Sequence, residues 1–366
     1  MKKAFRILLP FIITAVALWW AFGEFLVDCA AKNATLGGIV AGVFGLVADG
    51  QSCDALVASF SEAKVFPAVF PFLFCFAAHF FFRSLRWRYL LPAEPGERKV
   101  SLQQLFDSMM LGNLATFIFP FRLGEFIRPL ILSRWTNYTF SSAFVSVVIE
   151  RFFDLATVLL SFAFIIASRQ VSPQVMAGAT ALAVMSAGLL VFLVLACLAP
   201  DFTKRCVVAC SRLLPAKLAG MVDHFTGDLI RGASVVKTPS RLLVILLLTV
   251  IVWTFAWLQF YAMLYVFPWD QGWEQSLELS VALGVLVALA IAAPSAPGFF
   301  GTFQVGCKAA FQLFGYGAWA FVSAYSIVMH LVTYVLFVSI GFLLLRKHDL
   351  KLFDLKKAAS EAPQAA

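Results

Sequence analysis

The sequence predicts an all-α integral membrane protein with about six full spans and two re-entrant hairpins in an inverted-topology repeat. Hydrophobic residues make up 61% of the 366 residues and charged residues only 13%, whereas about 25% of a soluble domain is charged. Apolar segments of bilayer-spanning length recur along the chain, with Lys and Arg gathered between them. The net charge of +8 therefore indicates cytoplasmic ends of spans and anionic lipid heads rather than nucleic acid.

The predicted spans follow from length, since a helix needs about 20 apolar residues to cross a bilayer. Six segments meet this requirement: 5–27, 64–85, 141–168, 175–199, 241–267 and 318–345. Two further apolar segments, 103–134 and 276–315, are interrupted by proline, glycine and charged residues. These two are predicted to be broken helices.

The basic residues predict the orientation, because cytoplasmic loops carry an excess of Lys and Arg. Basic runs occur at the N-terminus, in residues 83–99, in 204–241 and in 346–357. With these runs inside, each interrupted segment must enter and leave on one side of the membrane, as a re-entrant hairpin does. The two halves then carry the same elements in opposite orientation, which is typical of transporters with a central site.

We therefore expect one polytopic domain, 1–345, built from inverted repeats of about 1–168 and 169–345. A short cytoplasmic tail, 346–366, follows it. Both termini are predicted to be cytoplasmic, in a protein of the cytoplasmic (inner) membrane. Cys29 and Cys53 flank the predicted outer loop, and a disulfide between them is left open.

The first interrupted segment contains the first candidate site. Arg122, Glu125 and Arg128 are spaced three apart, so on a helical turn they share a face. Two guanidiniums beside one carboxylate suit an anionic head group such as a phosphate. The alternative is that these side chains reach cytoplasmic water at the hairpin mouth. Gly124 breaks the helix at the same place and is expected to let the hairpin move.

Glu150, Arg151 and Asp154 form the second candidate site, in the middle of the predicted span 141–168. Glu150 lies about 14 Å and Asp154 about 20 Å along that helix, near the bilayer midplane. Ionisable residues at that depth mark a functional site by default. They would balance substrate charge or carry protons, or they form an ion-pair cluster that docks this span against the hairpin.

The second interrupted segment contains the third candidate site. It is broken by Pro294, Pro297, Gly298 and Gly301. The helix that follows would present its N-terminus to a central cavity, where it favours an anion. Gln304 and Lys308 lie one and two turns into that helix and are candidate substrate contacts. The alternative for Lys308 is that its side chain extends to the membrane surface. His330, in the last span, is interpreted as a packing histidine rather than a titrating one.

Three motifs resemble the membrane domain of bacterial lysylphosphatidylglycerol synthases and the wider flippase-like family that keeps this domain alone. They are Arg122-x-Gly124-Glu125-x-x-Arg128, Glu150-Arg151-x-x-Asp154 and Pro294-x-x-Pro297-Gly298-x-x-Gly301. The resemblance implies translocation of lipids between leaflets. Many relatives carry Glu where this chain has Gln304, so a proton or cation role is not expected there. The aminoacyl-transferase domain is missing, so the chain is not expected to be an enzyme that makes an aminoacylated lipid.

The leading hypothesis is a lipid transporter or flippase-like protein for an anionic-headed lipid. Its partners would be membrane lipids, either a phospholipid or a lipid-linked head group, and its oligomeric state is left open. No motif indicates a catalytic residue, a metal site or a cofactor. The alternatives are an ion-coupled secondary transporter of a small anionic solute, a membrane-embedded enzyme on a lipid-linked substrate, and a membrane subunit that supports a lipid-modifying enzyme.

Overall fold

The computed structural model describes residues 65–92, 100–119, 122–168, 199–211, 238–267, 269–292, 297–317 and 319–353, with a few single positions besides. Regular structure in these ranges is entirely helical. The helices are α1 (Val65–Leu90), α2 (Leu102–Ile118), α3 (Gly124–Trp135), α4 (Phe140–Ser168), α5 (Pro200–Ser211), α6 (Pro239–Leu264), α7 (Trp273–Ala292), α8 (Thr302–Leu313) and α9 (Trp319–Lys347). The predicted span 5–27, nearly all of 175–199, and Cys29, Cys53 and Pro294 lie outside the described residues.

Four described helices are long and apolar enough to cross a membrane. They are α1 from Ala68, α6, α7 and α9 from Phe321. The chain is therefore a multi-pass membrane protein, as predicted. The helices expected at 64–85, 241–267 and 318–345 are confirmed as α1, α6 and α9, and α4 matches 141–168 to within one residue. The full set of six spans stays a prediction.

The first interrupted segment folds as two antiparallel helices, α2 and α3. A capping box starts α2, in which Ser101 accepts from the Gln104 amide and the Gln104 side chain accepts from the Ser101 amide,. At the open end of the pair Gln104 Nε2 donates to the Trp135 carbonyl at 3.3 Å. Near the turn, Gly124 lies against Gly112 so closely that neither position has room for a Cβ. These glycines let α2 and α3 touch backbone to backbone.

The second interrupted segment is α7, a short 3₁₀ turn (Pro297–Phe299) and α8. Gly306 of α8 lies against the backbone of Val287 in α7, where an added Cβ would come within 2.6 Å of the Val287 Cα. The break is where the sequence predicts it. Because α7 alone has 20 residues and is apolar enough to cross, re-entrance of this segment stays a prediction.

Helix α9 packs against α2 of the first helical pair. Gly341 leaves no room for a side chain beside Leu114 of α2. At the end of α9, Lys347 Nζ and His348 Nε2 lie 2.7 and 2.8 Å from the buried carboxylate of Asp107 in α2. Helices α1, α3, α4 and α6 enclose the charged centre described next.

Candidate functional site

A single buried carboxylate, Glu150 of α4, holds four arginines from three helices. Arg128 of α3 donates to both of its oxygens, at 2.7 Å to Oε2 and 3.2 Å to Oε1. Arg83 of α1 donates through Nε and Nη2 to Oε1 at 2.9 and 2.8 Å. Arg86 and Arg151 approach the same oxygen at 3.6 and 3.4 Å. The Glu150 side chain is wholly buried, so these guanidiniums supply the compensation that its charge requires.

Asp154, one turn along α4, extends the cluster to α6. Its Oδ1 accepts from Arg86 Nη2 at 2.8 Å and from Trp253 Nε1 of α6 at 3.3 Å. Arg151 lies 3.6 Å from its other oxygen. Arg86 also donates to Thr249 of α6 at 3.2 Å. The carboxylates and arginines therefore join α1, α3, α4 and α6 in one network.

The sequence interpretation of Arg83 and Arg86 needs correction. The basic run 83–99, which predicts a cytoplasmic segment, includes both, but both point into the charged centre, and Arg86 has no exposed side-chain surface. The physical reason is that two carboxylates inside a span need more counter-charge than Arg151 alone supplies. A pair of arginines three apart on an apolar helix was the signal that could have found them.

Arg128 is buried between the Glu150 carboxylate and the Trp87 ring. Its guanidinium stacks over the Trp87 ring at 3.7 Å, and Trp87 in turn donates to Ser146 of α4 at 2.8 Å. Only 4% of Arg128 is exposed. This side chain, predicted to hold the substrate anion together with Arg122, donates through both Nη atoms to Glu150, and its role in substrate binding stays a prediction.

A cavity of about 360 Å³ adjoins the network. Its charged lining residues are Arg83, Arg122, Glu125, Arg151 and Asp154, with His79 beside them. Its other lining residues are apolar: Leu155, Val158, Val252, Trp253, Ala256, Ala288, Leu289, Ile291 and Ala292. The cavity is therefore amphipathic, with side chains that suit a charged group and side chains that suit hydrocarbon.

The charges around the cavity do not cancel. Five arginines, the four around Glu150 and Arg122, stand against the three carboxylates Glu125, Glu150 and Asp154. This leaves a formal excess of two positive charges, which favours an anion. Four of these arginines, Arg86, Arg122, Arg128 and Arg151, have a buried Nε atom without a hydrogen-bond partner among the described residues. Two of the four, Arg122 and Arg151, also line the cavity. Arg151 has 35% of its side chain exposed, so it can reach a ligand.

Arg122 does not share a helical face with Arg128, contrary to the sequence expectation. It lies in the turn before α3, with φ of 51°, and its guanidinium is over the Phe299 ring at 5.4 Å. Within the described residues neither Arg122 nor Glu125 forms a salt bridge, although both line the cavity.

Gln304 belongs to a separate, neutral network. Its Oε1 accepts from the Gly301 amide at 2.9 Å, and its Nε2 is 3.0 Å from His330 Nδ1. The other ring nitrogen of His330 is 2.6 Å from the Gly298 carbonyl. An amide must donate to Nδ1 and a carbonyl must accept from Nε2, so this arrangement assigns the Nε2–H tautomer. His330 thus ties the turn of the second interrupted segment to α9, in line with the packing interpretation.

The predicted site residues therefore fall into two groups. Arg122, Glu125, Arg151 and Asp154 reach the cavity, with Arg128 and Glu150 directly behind them. Gln304 and the half-buried Lys308 on α8 are not among the residues that line it.

Replacing Gln304 by Leu is expected to destabilise the protein by about 1–3 kcal/mol, because it leaves the buried Gly301 amide and His330 Nδ1 without partners. Gln312→Leu, an exposed position on the same helix, is the matched control and should change the free energy of unfolding by less than about 0.5 kcal/mol. The measurement is thermal or denaturant unfolding of the purified chain in detergent. Equal effects of the two substitutions would contradict the assigned network.

The family described as the lysylphosphatidylglycerol synthase TM region matches residues 34–341, which is well over half of the chain. The match contains all the residues of the arginine network and of the Gln304 network. No curated protein matches the chain, and no solved structure matches it.

Proposed function

We propose that this chain, which belongs to the lysylphosphatidylglycerol synthase TM-region family, binds an anionic-headed membrane lipid in the cavity and moves it between leaflets. The observation that carries the proposal is the amphipathic cavity, which is lined both by arginines and by aliphatic side chains. A lipid has the same two-sided chemistry, since its phosphate needs charge-assisted donors and its acyl chains need apolar surface.

The arginines have distinct roles in this proposal. Arg151 and Arg122, with unpartnered Nε atoms beside the cavity, contact the phosphate. Arg83 supports them from α1. Glu150 and Arg128 act as positioning residues, because each Glu150 oxygen is already occupied by guanidinium donors. The acyl chains lie against the aliphatic side chains of α4, α6 and α7.

The proposal also includes the membrane, the orientation of the termini and the moving segments. We place the protein in the cytoplasmic membrane with both termini cytoplasmic, and the two interrupted segments as the moving hairpins. The role is transport rather than catalysis. Any driving force would come from an ion gradient, the membrane potential or the lipid gradient itself.

Arg151→Gln is expected to slow lipid movement by about tenfold or more, because a hydrogen bond to a charged group is worth about 1.5–3 kcal/mol. The measurement uses proteoliposomes of phosphatidylcholine that contain a fluorescently labelled phosphatidylglycerol, with a membrane-impermeant quencher to report the outer leaflet. Rates are compared with and without imposed proton, sodium and voltage gradients.

Arg346→Gln is the matched control, since Arg346 is exposed in the last turn of α9 and does not line the cavity. It should leave the rate unchanged. If Arg151→Gln moves lipid at the wild-type rate, the cavity is not the lipid site. A wild-type protein that moves neither phosphatidylglycerol nor phosphatidylcholine under any gradient would overturn the lipid-transport proposal.

A further inference from the structure

Two short stretches, residues 122–123 before α3 and residues 297–301 before α8, touch each other through two residues with unusual backbones. Arg122 in the turn between α2 and α3 has φ of 51°, and Phe299 in the turn between α7 and α8 has φ of 62°. Left-handed backbone is uncommon for residues other than glycine and is often found at functional sites. Only one other non-glycine residue in the described part of the chain, Asp349, has a positive φ. The two strained turns are thus in direct contact, the Arg122 guanidinium 5.4 Å from the Phe299 ring.

The contact between the turns is small and aromatic. The Phe117 ring at the end of α2 meets the Phe299 ring edge-on at a centroid distance of 5.7 Å. The Phe117 carbonyl lies 3.4 Å from where a Cβ on Gly298 would stand. The turn of Phe299 is anchored on its other side to α9 by the His330–Gly298 hydrogen bond. The only charged group in this contact is therefore the Arg122 guanidinium.

Arg122 has two competing surroundings. On one side is the Phe299 ring, and on the other is the cavity, which it lines. Its guanidinium forms no salt bridge within the described residues, and its buried Nε has no hydrogen-bond partner. A phosphate in the cavity would offer charge-assisted, bidentate hydrogen bonds, which are stronger than a cation–π contact. An anion at this wall should therefore draw the guanidinium away from the ring.

We propose that Arg122 is a switch that couples anion binding in the cavity to separation of the two turns. Without an anion, Arg122 lies over Phe299 and holds the α2–α3 turn against the α7–α8 turn. With an anion bound, Arg122 turns to the phosphate, the aromatic contact weakens and the turns part. This inference rests on the proposed function for the source of the anion, a lipid head group. The coupling itself requires only a phosphate with net negative charge at Arg122, which phosphatidylglycerol and inorganic phosphate carry and zwitterionic phosphatidylcholine does not.

The test measures backbone amide exchange in the turns of the full-length chain in nanodiscs. The probes are phosphatidylcholine discs, discs that also contain phosphatidylglycerol, and phosphatidylcholine discs with inorganic phosphate. In wild type, phosphatidylglycerol is expected to speed exchange in residues 298–301 by about three- to tenfold, the factor that a cation–π contact is worth at a partly buried site. Residues in α5, away from the contact, should not respond.

Two matched substitutions in the same turn separate the switch from general loosening. Phe299→Leu removes the ring under Arg122, so its turn should exchange fast already in phosphatidylcholine and respond no further to phosphatidylglycerol. Phe300→Leu removes a neighbouring ring that packs on His330 and Tyr334 and keeps the Arg122–Phe299 contact. It should retain the response to phosphatidylglycerol.

Each outcome decides between the two proposals. If wild type moves phosphatidylglycerol between leaflets but its turns exchange equally in both discs, the switch is overturned and the proposed function stands. If Phe299→Leu and Phe300→Leu respond alike, the switch is also overturned. If wild type moves no lipid, the proposed function fails, and inorganic phosphate then decides the switch: faster turn exchange supports it, and unchanged exchange overturns it.

Discussion

Glu150→Gln is expected to lower the free energy of unfolding by about 3–5 kcal/mol, the cost of removing one partner from a buried ion pair. The substitution keeps the size of the side chain, removes its charge and replaces one acceptor oxygen with an NH2 donor. Arg128, which donates to both Glu150 oxygens, and Arg83, which donates to Oε1, would then repel each other and Arg86 in a buried setting. The measurement is the melting transition of the purified protein in detergent, with lipid movement in proteoliposomes as a second readout.

Glu125→Gln is the matched control for this experiment. Glu125 lines the same cavity but is half-buried and forms no salt bridge with a described residue. The same substitution there should change stability by less than about 0.5 kcal/mol. A stable Glu150→Gln protein would mean that the arginines find other counter-ions, and that Glu150 does not hold the network together. Arg151→Gln should lower the free energy of unfolding by an amount between these two, because Arg151 lies 3.4 Å from Glu150 Oε1, farther than Arg128 or Arg83.

Apart from α5, the described helices could be predicted from the sequence to within a few residues, because apolar length and the breaks at Gly and Pro are local properties. Residues 141–168 became α4 (Phe140–Ser168), and the interruptions in 103–134 and 276–315 fall where the structure breaks the helices. The sequence also indicated that Glu150 and Asp154 form a functional site or an ion-pair cluster, since charges deep in an apolar segment are costly. These predictions needed no knowledge of which helices are neighbours.

The partners of those charges could not be predicted in the same way. Glu150 is paired with Arg83, which is 67 positions away, and Gln304 with His330, which is 26 away. The positive-inside rule counts arginines near helix ends and does not distinguish a loop arginine from one that folds back into a buried network. The bonds between Arg128 and Glu150 were not predictable for a related reason. The spacing of Arg128 from Glu125 suggested a local pair, but α3 packs on α4 so that Arg128 donates to Glu150.

The contact between Arg122 and Phe299 could not be predicted from the sequence either. Gly298 and Gly301 indicate a turn, and both have positive φ, so the turn itself was predictable. That Phe299 would also take a left-handed backbone, and that it would lie under an arginine from the other half of the chain, depends on how α2 and α7–α8 pack. Tertiary contacts set both features.

Gly124→Ala is expected to lower the free energy of unfolding by about 3 kcal/mol, the upper end of the usual cost of overpacking. A Cβ on Gly124 would overlap the Gly112 carbonyl and Thr116 Oγ1 in α2. The Gly112 carbonyl belongs to the backbone, so it can move only if the helices separate. Separation of α2 from α3 would also shift Arg128, whose Cβ lies beside Gly112, away from Glu150.

Gly272→Ala is the matched control, since nothing lies within 4 Å of a Cβ added at Gly272. It should leave the melting transition and lipid movement unchanged. Because Gly124→Ala changes no charge, it separates geometry from electrostatics in the arginine network. A loss of stability and lipid movement comparable to that of Glu150→Gln would mean that close packing of α2 on α3 holds Arg128 where Glu150 needs it. If Gly124→Ala is as stable and active as the control, the α2–α3 contact is not what positions the network, and Glu150 must draw Arg128 into place by charge alone.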